Sequence, residues 1–258
     1  MGKSNLEHTM NKHEKLADLR HFLSRYGLPH DRSAIPLGLE DADAVLDGGL
    51  RSGAQHEVFA EDWGASGFAA CMAIRAMGKK PLFWIRPDYA AMEYGALSAT
   101  GFLELGGDPE KLLLLRAANA EDALSATADI LACPHMGAVV LELEGQALAL
   151  DLPASRRLGL IAEESGVTLF VLREGADARP SAAATRWQVR SQRARADDDD
   201  WGSPRYLAQL TRHRLGGLGE WIMEWNPQDG SFRQKTAHIG AVAATVFDRP
   251  ADASYRFA

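Results

Sequence analysis

The sequence predicts an α/β fold in which a mostly parallel sheet is flanked by helices, with antiparallel strands added at its C-terminal edge. Helix-like stretches rich in alanine or with amphipathic spacing alternate with compact apolar runs. This alternation is typical of right-handed parallel crossovers. The apolar runs begin about 25 to 31 residues apart and have the length of buried strands; they are HEVFA (56–60), PLFWI (81–85), LLLLRA (112–117), AVVLEL (138–143) and VTLFVL (167–172).

The two ends of the chain depart from this alternation. The run NKHEKLADLRHFLSRYG has helical spacing and predicts one amphipathic helix over 11–26. After residue 180 the runs TRWQVRSQR, RYLAQLTRHR and GEWIMEWN follow one another without helices, which favours antiparallel strands. We therefore predict an N-terminal helix with its linker (1–34), a core (35–234) and a C-terminal tail (235–258).

Composition narrows the class of protein. The chain has 258 residues, 46% of them hydrophobic, and a formal net charge of −7, which is ordinary for a globular protein and argues against indiscriminate nucleic-acid binding. The charged N-terminus lacks the apolar core of a signal peptide, and no stretch approaches the roughly 18 apolar residues of a membrane span. We expect a cytoplasmic protein without a membrane segment. The two cysteines and eight histidines show no zinc-type spacing, so no metal or cofactor is expected.

The stretch AEDWGASGFAAC (60–71) lies between a predicted strand and a predicted helix, where a phosphate-binding loop would lie. Aligned with the pattern G-x-x-x-x-G-K-[ST], it places Asp62 at the first glycine, Phe68 at the lysine and Ala69 at the magnesium-binding hydroxyl. Gly64, Gly67 and the start of the helix still offer backbone N–H groups to an anion. An acid facing a phosphate at about 4 Å, with an effective dielectric near 20, costs on the order of 4 kcal/mol per unit charge. The loop therefore predicts a degenerate, non-catalytic site.

Two longer stretches resemble known families. GLEDADAVLDGGLRSGAQHEVFAEDWGASGFAA resembles the beginning of the ATPase core of RecA recombinases. LDLPASRRLGLIAEESGVTLFVLRE followed by PSAAATRWQVR resembles the ImuA family, the RecA-like accessory proteins of bacterial inducible mutagenesis, which are sometimes grouped with SulA-like proteins. The resemblance spans about residues 35–226. It implies a RecA-like core.

The resemblance also implies a function. ImuA proteins act in damage-induced translesion synthesis, part of the SOS response, beside an inactive Y-family polymerase-like partner and an error-prone replicative-type polymerase. By analogy with recombinases, the chain is expected to contact RecA or a second copy of itself, with the helix over 11–26 as an adhesive element. We expect protein-protein contacts rather than ATP hydrolysis to carry this role.

Two acids lie near the positions of recombinase catalytic groups. Asp88, after FWIRP, lies roughly where the resemblance places the glutamate that activates water, and Glu142 roughly matches the acid that helps to hold magnesium. Without the lysine and the metal they have little to act on, so we interpret both as vestigial acids with a structural role. Ser66 is likewise expected to be a helix N-cap rather than a nucleophile.

A basic segment is the candidate nucleic-acid contact. Residues 178–214 hold eight arginines against four aspartates, a net charge of +4, while the rest of the chain carries −11. Trp187 and Trp201 are available for base stacking on single-stranded DNA. The alternative is that these arginines are solvated faces of edge strands and that Trp187 faces the core. The candidate DNA-binding residues are Arg179, Arg186, Arg190, Arg193 and Arg195.

Two other functions stay open on the sequence alone. One is an ATPase completed in trans by a lysine or arginine from a partner. The other is a SulA-like cell-division inhibitor, which would cause filamentation without a mutagenesis phenotype.

Overall fold

A computed structural model describes residues 33–60, 62, 64–193 and 202–234, except the side chains of residues 91 and 94. The predicted helix over 11–26, the acidic run 197–200 and the tail 235–258 lie outside these residues. The helices are α1 (Glu40–Val45), α2 (Ala65–Met77), α3 (Asp88–Tyr94), α4 (Ala99–Glu104), α5 (Ala120–Leu131) and α6 (Leu152–Ser165). No helix in the described ranges is long and apolar enough to cross a membrane.

The strands form one large sheet and a two-stranded ribbon. The ribbon pairs β1 (Ala34–Ile35) with β2 (Leu50–Arg51). The large sheet has nine strands in the order β11-β10-β9-β8-β3-β7-β6-β4-β5. Its members are β3 (Gln55–Ala60), β4 (Leu82–Pro87), β5 (Leu112–Ala117), β6 (Ala138–Glu144), β7 (Thr168–Glu174), β8 (Thr185–Gln192), β9 (Arg205–His213), β10 (Gly219–Asn226) and β11 (Ser231–Gln234).

All five strands predicted for the parallel part are present, and the α/β class is confirmed. The direction of β8 differs from the prediction, because β8 pairs in parallel with β3. The antiparallel addition consists of β9, β10 and the short unpredicted β11. The segment between β7 and β8 has no helix, so the crossover there is made by chain without regular secondary structure. Two separate helices, α3 and α4, lie between β4 and β5.

Helices cover both faces of the sheet. Side chains alternate along each strand, so Val140 packs against α2 on one face while Val139 and Leu141 pack against α5 and α6 on the other. The α2 face continues over β8, β9, β10 and β11, where tryptophans 187, 221 and 225 are buried. The antiparallel strands therefore share one core with the helix that follows the candidate phosphate loop.

A buried hydrogen-bond chain fixes β8 beside β3. The Trp187 Nε1–H donates to Thr185 Oγ1 at 3.0 Å, and the Thr185 hydroxyl lies 2.8 Å from His56 Nδ1. His56 Nε2 lies 2.9 Å from the carbonyl oxygen of Arg51, which only accepts. This assigns the proton to Nε2 and makes Nδ1 the acceptor. Burial lowers the pKa of His56 to about 4, so the ring is neutral at pH 7 and its role is structural.

Candidate functional site

The loop between β3 and α2 lies at the carboxyl edge of the parallel strands, where ligands bind in open α/β sheets. Asp62 fills this loop from inside. Its Oδ1 accepts the Gly64 N–H at 3.0 Å and the Ser191 hydroxyl at 2.9 Å, while Oδ2 accepts the Ser191 N–H at 2.8 Å. A phosphate in this loop would need the Gly64 N–H that Asp62 already occupies. The carboxylate thus takes the place of an anion oxygen and ties the loop to β8.

The position that aligns with the lysine faces the core. Phe68 is completely buried, and its ring centroid lies 5.3 Å from those of Tyr206 and Phe232 and 6.1 Å from that of Trp187. Ala69 is also completely buried. The one basic residue of α2, Arg75, donates to the carbonyl oxygens of Pro36 and Gly230. Within α2, therefore, no cation faces the loop.

Close packing accounts for both glycines of the loop. A Cβ on Gly64 would lie 1.5 Å from Ser191 Oγ, and a Cβ on Gly67 would lie 2.6 Å from the Tyr206 hydroxyl oxygen. Neither approach is possible for a residue with a side chain unless Ser191 or Tyr206 moves. In this chain the two glycines thus let β8 and β9 dock on the loop, a reason independent of phosphate.

The predicted helix N-cap at Ser66 is wrong. The N-cap is Gly64, with φ −77° and ψ −11°, and no side chain caps it. Ser66 lies inside the first turn of α2, because the helix begins at Ala65. Asp62, two residues before the N-cap, supplies the acceptor for the Gly64 N–H instead.

Glu142 lies in β6 and is 4% exposed. Its Oε1 accepts Arg86 Nη2 at 2.7 Å, and its Oε2 accepts the Trp84 indole N–H at 2.8 Å. Arg86 also donates to the carbonyl oxygens of Ala90 and Gly95, which anchors α3 and the turn after it. Both carboxylate oxygens therefore serve a buried network that joins β4, β6 and α3.

Asp88 is the first residue of α3, directly after β4. Its Oδ1 accepts Arg116 Nε at 2.7 Å, and both side chains are about half exposed. This ion pair joins the carboxyl ends of β4 and β5, one strand away from Glu142 on β6. The two acids are thus held by different arginines.

Glu174, at the end of β7, was not singled out from the sequence. It pairs in register with Ala60 on one side and Glu144 on the other. Burial, and then the charge of Glu142, raises the pKa of Glu174 to about 7, against the opposing effect of Arg86. Glu174 therefore exchanges a proton near neutral pH, unlike an exposed glutamate. Within the described ranges, no group of His, Cys, Asp and Glu side chains could hold a metal ion.

The predicted DNA-binding arginines do not share one environment. Arg186 is largely buried and forms a 2.8 Å ion pair with Glu57, which is 2% exposed. It also donates to Ser181 Oγ and the Arg179 carbonyl oxygen, and its guanidinium lies 5.3 Å from the Phe59 ring centroid. These contacts identify Arg186 as structural. The side chains of Arg179, Arg190 and Arg193 are exposed. Arg195 lies outside the described residues.

Trp187 does not stack on bases. Its side chain is completely buried between Phe68 and Trp221, on the face of β8 that turns toward α2. Alternation with Val189, also buried, is the sequence signal for this position. By the same alternation Ser191 shares this face, which is how it reaches Asp62. Trp201 lies outside the described residues.

A cavity of about 480 Å³ opens beside the loop, between the start of α2, α4, the end of β8 and the start of β9. Besides Gly64, Ser66 and Gly67, its larger lining side chains are Trp84, Leu97, Phe102, Leu105, Arg205 and Tyr206. This lining is mostly apolar and suits an apolar group better than a phosphate.

The parallel sheet with helices on both faces and antiparallel strands at one edge is consistent with a RecA-like core. Two curated relatives, proteins ImuA from two strains of Caulobacter vibrioides, are each 34% identical to the chain over 140 residues. The similarity covers 50% of this chain and 56% of each relative, so the chain spans about half the length of the curated relatives it matches. About half of this chain is therefore similar to ImuA proteins, as the sequence resemblance predicted. No protein-family model matches the chain.

Proposed function

We propose that this chain is a non-catalytic RecA-like accessory protein of damage-induced translesion synthesis, which acts through protein-protein contacts. The similarity to ImuA proteins supports a role in damage-induced translesion synthesis. The observation that carries the non-catalytic role is the carboxylate of Asp62, which takes the Gly64 N–H and both donors of Ser191.

The other candidate catalytic positions support the same proposal. Phe68 packs in an aromatic core, and both carboxylate oxygens of Glu142 accept hydrogen bonds, from Arg86 and Trp84. ATP hydrolysis needs a cation at the phosphates, a held magnesium ion and a group that orients water. A partner that supplied a cation in trans would still have to displace Asp62 from its three donors.

A free sheet edge supports the protein-contact role. The large sheet ends at β5, and no other strand in the described ranges pairs with its outer side. Leu113 and Leu114 in this strand are 41% and 52% exposed. An exposed apolar edge strand is a template for an added strand from another chain. We propose that a partner adds a strand along β5.

The proposed partners follow from the ImuA resemblance. They are a Y-family polymerase-like protein, an error-prone replicative-type polymerase, RecA and a second copy of this chain, all in the cytoplasm. Single-stranded DNA is a further proposed ligand, and of its candidate residues Arg179, Arg190 and Arg193 keep exposed side chains.

The experiment that tests this function compares cells that lack the chain with the same cells after the chain is reintroduced. Both are exposed to ultraviolet light. The proposal expects loss of damage-induced mutations without the chain and recovery with it. Partner capture from the irradiated cells should recover the two polymerase-type proteins. Filamentation on expression, with normal mutagenesis in the cells that lack the chain, would contradict the proposal and favour a division inhibitor.

A further inference from the structure

A second cavity, of about 390 Å³, opens at the opposite edge of the sheet from the candidate phosphate loop. It lies between α6, the residues that lead into β3 and β8, and the end of β9. The six residues of β3 separate this cavity from the loop, a span of about 20 Å at roughly 3.3 Å per residue. The two sites are therefore distinct.

The lining of this cavity is strongly basic. Arg51, Arg156, Arg212 and Arg214 line it together with the single acid Glu163, which leaves a formal charge of +3. Arg51 pairs with Glu163 at 2.8 Å, and Arg212 Nη1 donates to the Ser181 carbonyl oxygen at 2.8 Å. Arg156 and Arg214 are exposed, and no described residue forms an ion pair or side-chain hydrogen bond with either of them. Two guanidinium groups are thus open to a ligand.

A buried amide in the same wall lacks a partner. Gln55 lines the cavity and is 2% exposed. Its Oε1 accepts the Ser155 hydroxyl at 3.2 Å, and the same Ser155 oxygen accepts the Ala182 N–H at 2.9 Å. In this orientation of the amide, Gln55 Nε2 finds no acceptor within the described structure. A buried donor without an acceptor is costly, and a ligand oxygen would satisfy it.

We infer that this cavity binds a phosphate group, carried either by a small molecule or by a single-stranded nucleic acid. Guanidinium groups bind phosphate through paired N–H donors, and a formal charge of +3 matches a multiply charged phosphate better than a single carboxylate. The volume lies within the range of small-molecule sites. Leu152, Leu160 and the alanines 54, 182 and 184 add an apolar wall for the rest of the ligand.

The test uses the full chain, pyrophosphate as the probe and about 0.15 M salt, where loose surface attraction is screened. The variants are Arg156→Glu and Arg214→Glu, whose side chains have no described partner to lose. Arg157→Glu is the matched control, because this exposed neighbour on α6 does not line the cavity. Calorimetry should show saturable binding that weakens by about tenfold or more in each cavity variant and stays unchanged in the control.

A second arm identifies the source of the phosphate. A fluorescent single-stranded oligonucleotide that binds through Arg156 and Arg214, and is displaced by pyrophosphate, identifies a nucleic acid strand. Pyrophosphate binding without oligonucleotide binding identifies a small molecule. Absence of saturable binding of both probes overturns the inference, and so does an equal loss in Arg157→Glu. Loss of this inference leaves the proposed function standing, because that function is tested separately by damage-induced mutagenesis in cells.

Discussion

At the scale of single residues, the central feature is an acid in the place of an anion. The carboxylate of Asp62 satisfies the Gly64 N–H and holds Ser191 on β8. From the sequence, Asp62 was expected only to repel phosphate. The structure adds that it stabilises the contact between the loop and β8, because its oxygens accept hydrogen bonds that an apolar side chain would leave unmade.

Replacing Asp62 with alanine should therefore lower stability and release Ser191 of β8 from the loop. Loss of three partly exposed, charge-assisted hydrogen bonds should cost about 1–2 kcal/mol of the free energy of unfolding, measured in urea. The Ser191 amide should exchange its hydrogen faster. Asp88→Ala is the control, since it removes a half-exposed ion pair worth at most about 1 kcal/mol and leaves Ser191 unaffected. Unchanged exchange at Ser191 would show that Asp62 does not hold β8.

Glu142 should prove to be a structural residue. Glu142→Ala would leave the buried Arg86 without its partner, which should cost about 3–5 kcal/mol in urea unfolding. Arg116→Ala, at the exposed Asp88 pair, is the matched control and should cost about 1 kcal/mol or less. A Glu142→Ala protein as stable as the control would mean that the acid is retained for another reason.

Glu174, beside the loop, should make the free energy of unfolding depend on pH. Its folded pKa of about 7 lies above the unfolded value of 4.5, so folding favours the protonated form. The parent should lose stability from this group as pH rises through that interval. Glu174→Gln cannot ionise and should gain about 1 kcal/mol over the parent between pH 5 and pH 8, a figure reduced because the group is half-buried. An equal difference at both pH values would contradict the raised pKa of Glu174.

At the scale of elements, α2 is a core helix that follows the candidate phosphate loop. Phe68 joins it to β8, β9 and β11 through three aromatic neighbours. In a working loop the side chain at position 68 would carry the cation. Here that side chain packs against the strands instead. This packing explains why restoring one loop residue should not restore nucleotide chemistry.

Phe68→Lys therefore tests whether the packing of α2 excludes a cation at this position. The ammonium group would enter an apolar core, so the variant should lose at least about 3–5 kcal/mol of stability and gain no ATP affinity. Leu148→Lys is the control, because Leu148 is 72% exposed and its replacement should change stability by less than about 0.5 kcal/mol. A stable Phe68→Lys protein that binds ATP would contradict the packing account.

The outer strand β5 is the element assigned to partner contact. Leu114→Lys places a charge on the free edge, where it should oppose strand addition while costing little stability. The amount of the polymerase-type partners captured with the chain from irradiated cells should fall about tenfold or more. Leu215→Lys, at a 60% exposed position in the turn between β9 and β10, should leave recovery unchanged. Equal recovery with both variants would assign partner contact to another surface.

At the scale of the whole molecule, the sequence predicted local pieces better than their assembly. The five parallel strands and their helices were predictable because each is a contiguous pattern of apolar residues. The direction of β8 was not, since no helix precedes it. Asp62 and Ser191 are 129 residues apart, and their contact depends on that direction. The basic cavity is likewise assembled from separate segments around Arg51, Arg156 and Arg214.

A calorimetric titration of the purified chain with ATP and Mg²⁺ shows whether the loop retains a nucleotide. Because Asp62 occupies the loop, the account predicts no saturable binding at the loop up to about 1 mM ATP, equivalent to less than roughly 4 kcal/mol of affinity. Arg156→Glu with Arg214→Glu serves as the background protein, so that binding in the second cavity is not counted. Micromolar affinity in this background, lost when Ser66→Glu adds an acid at the loop, would contradict the account.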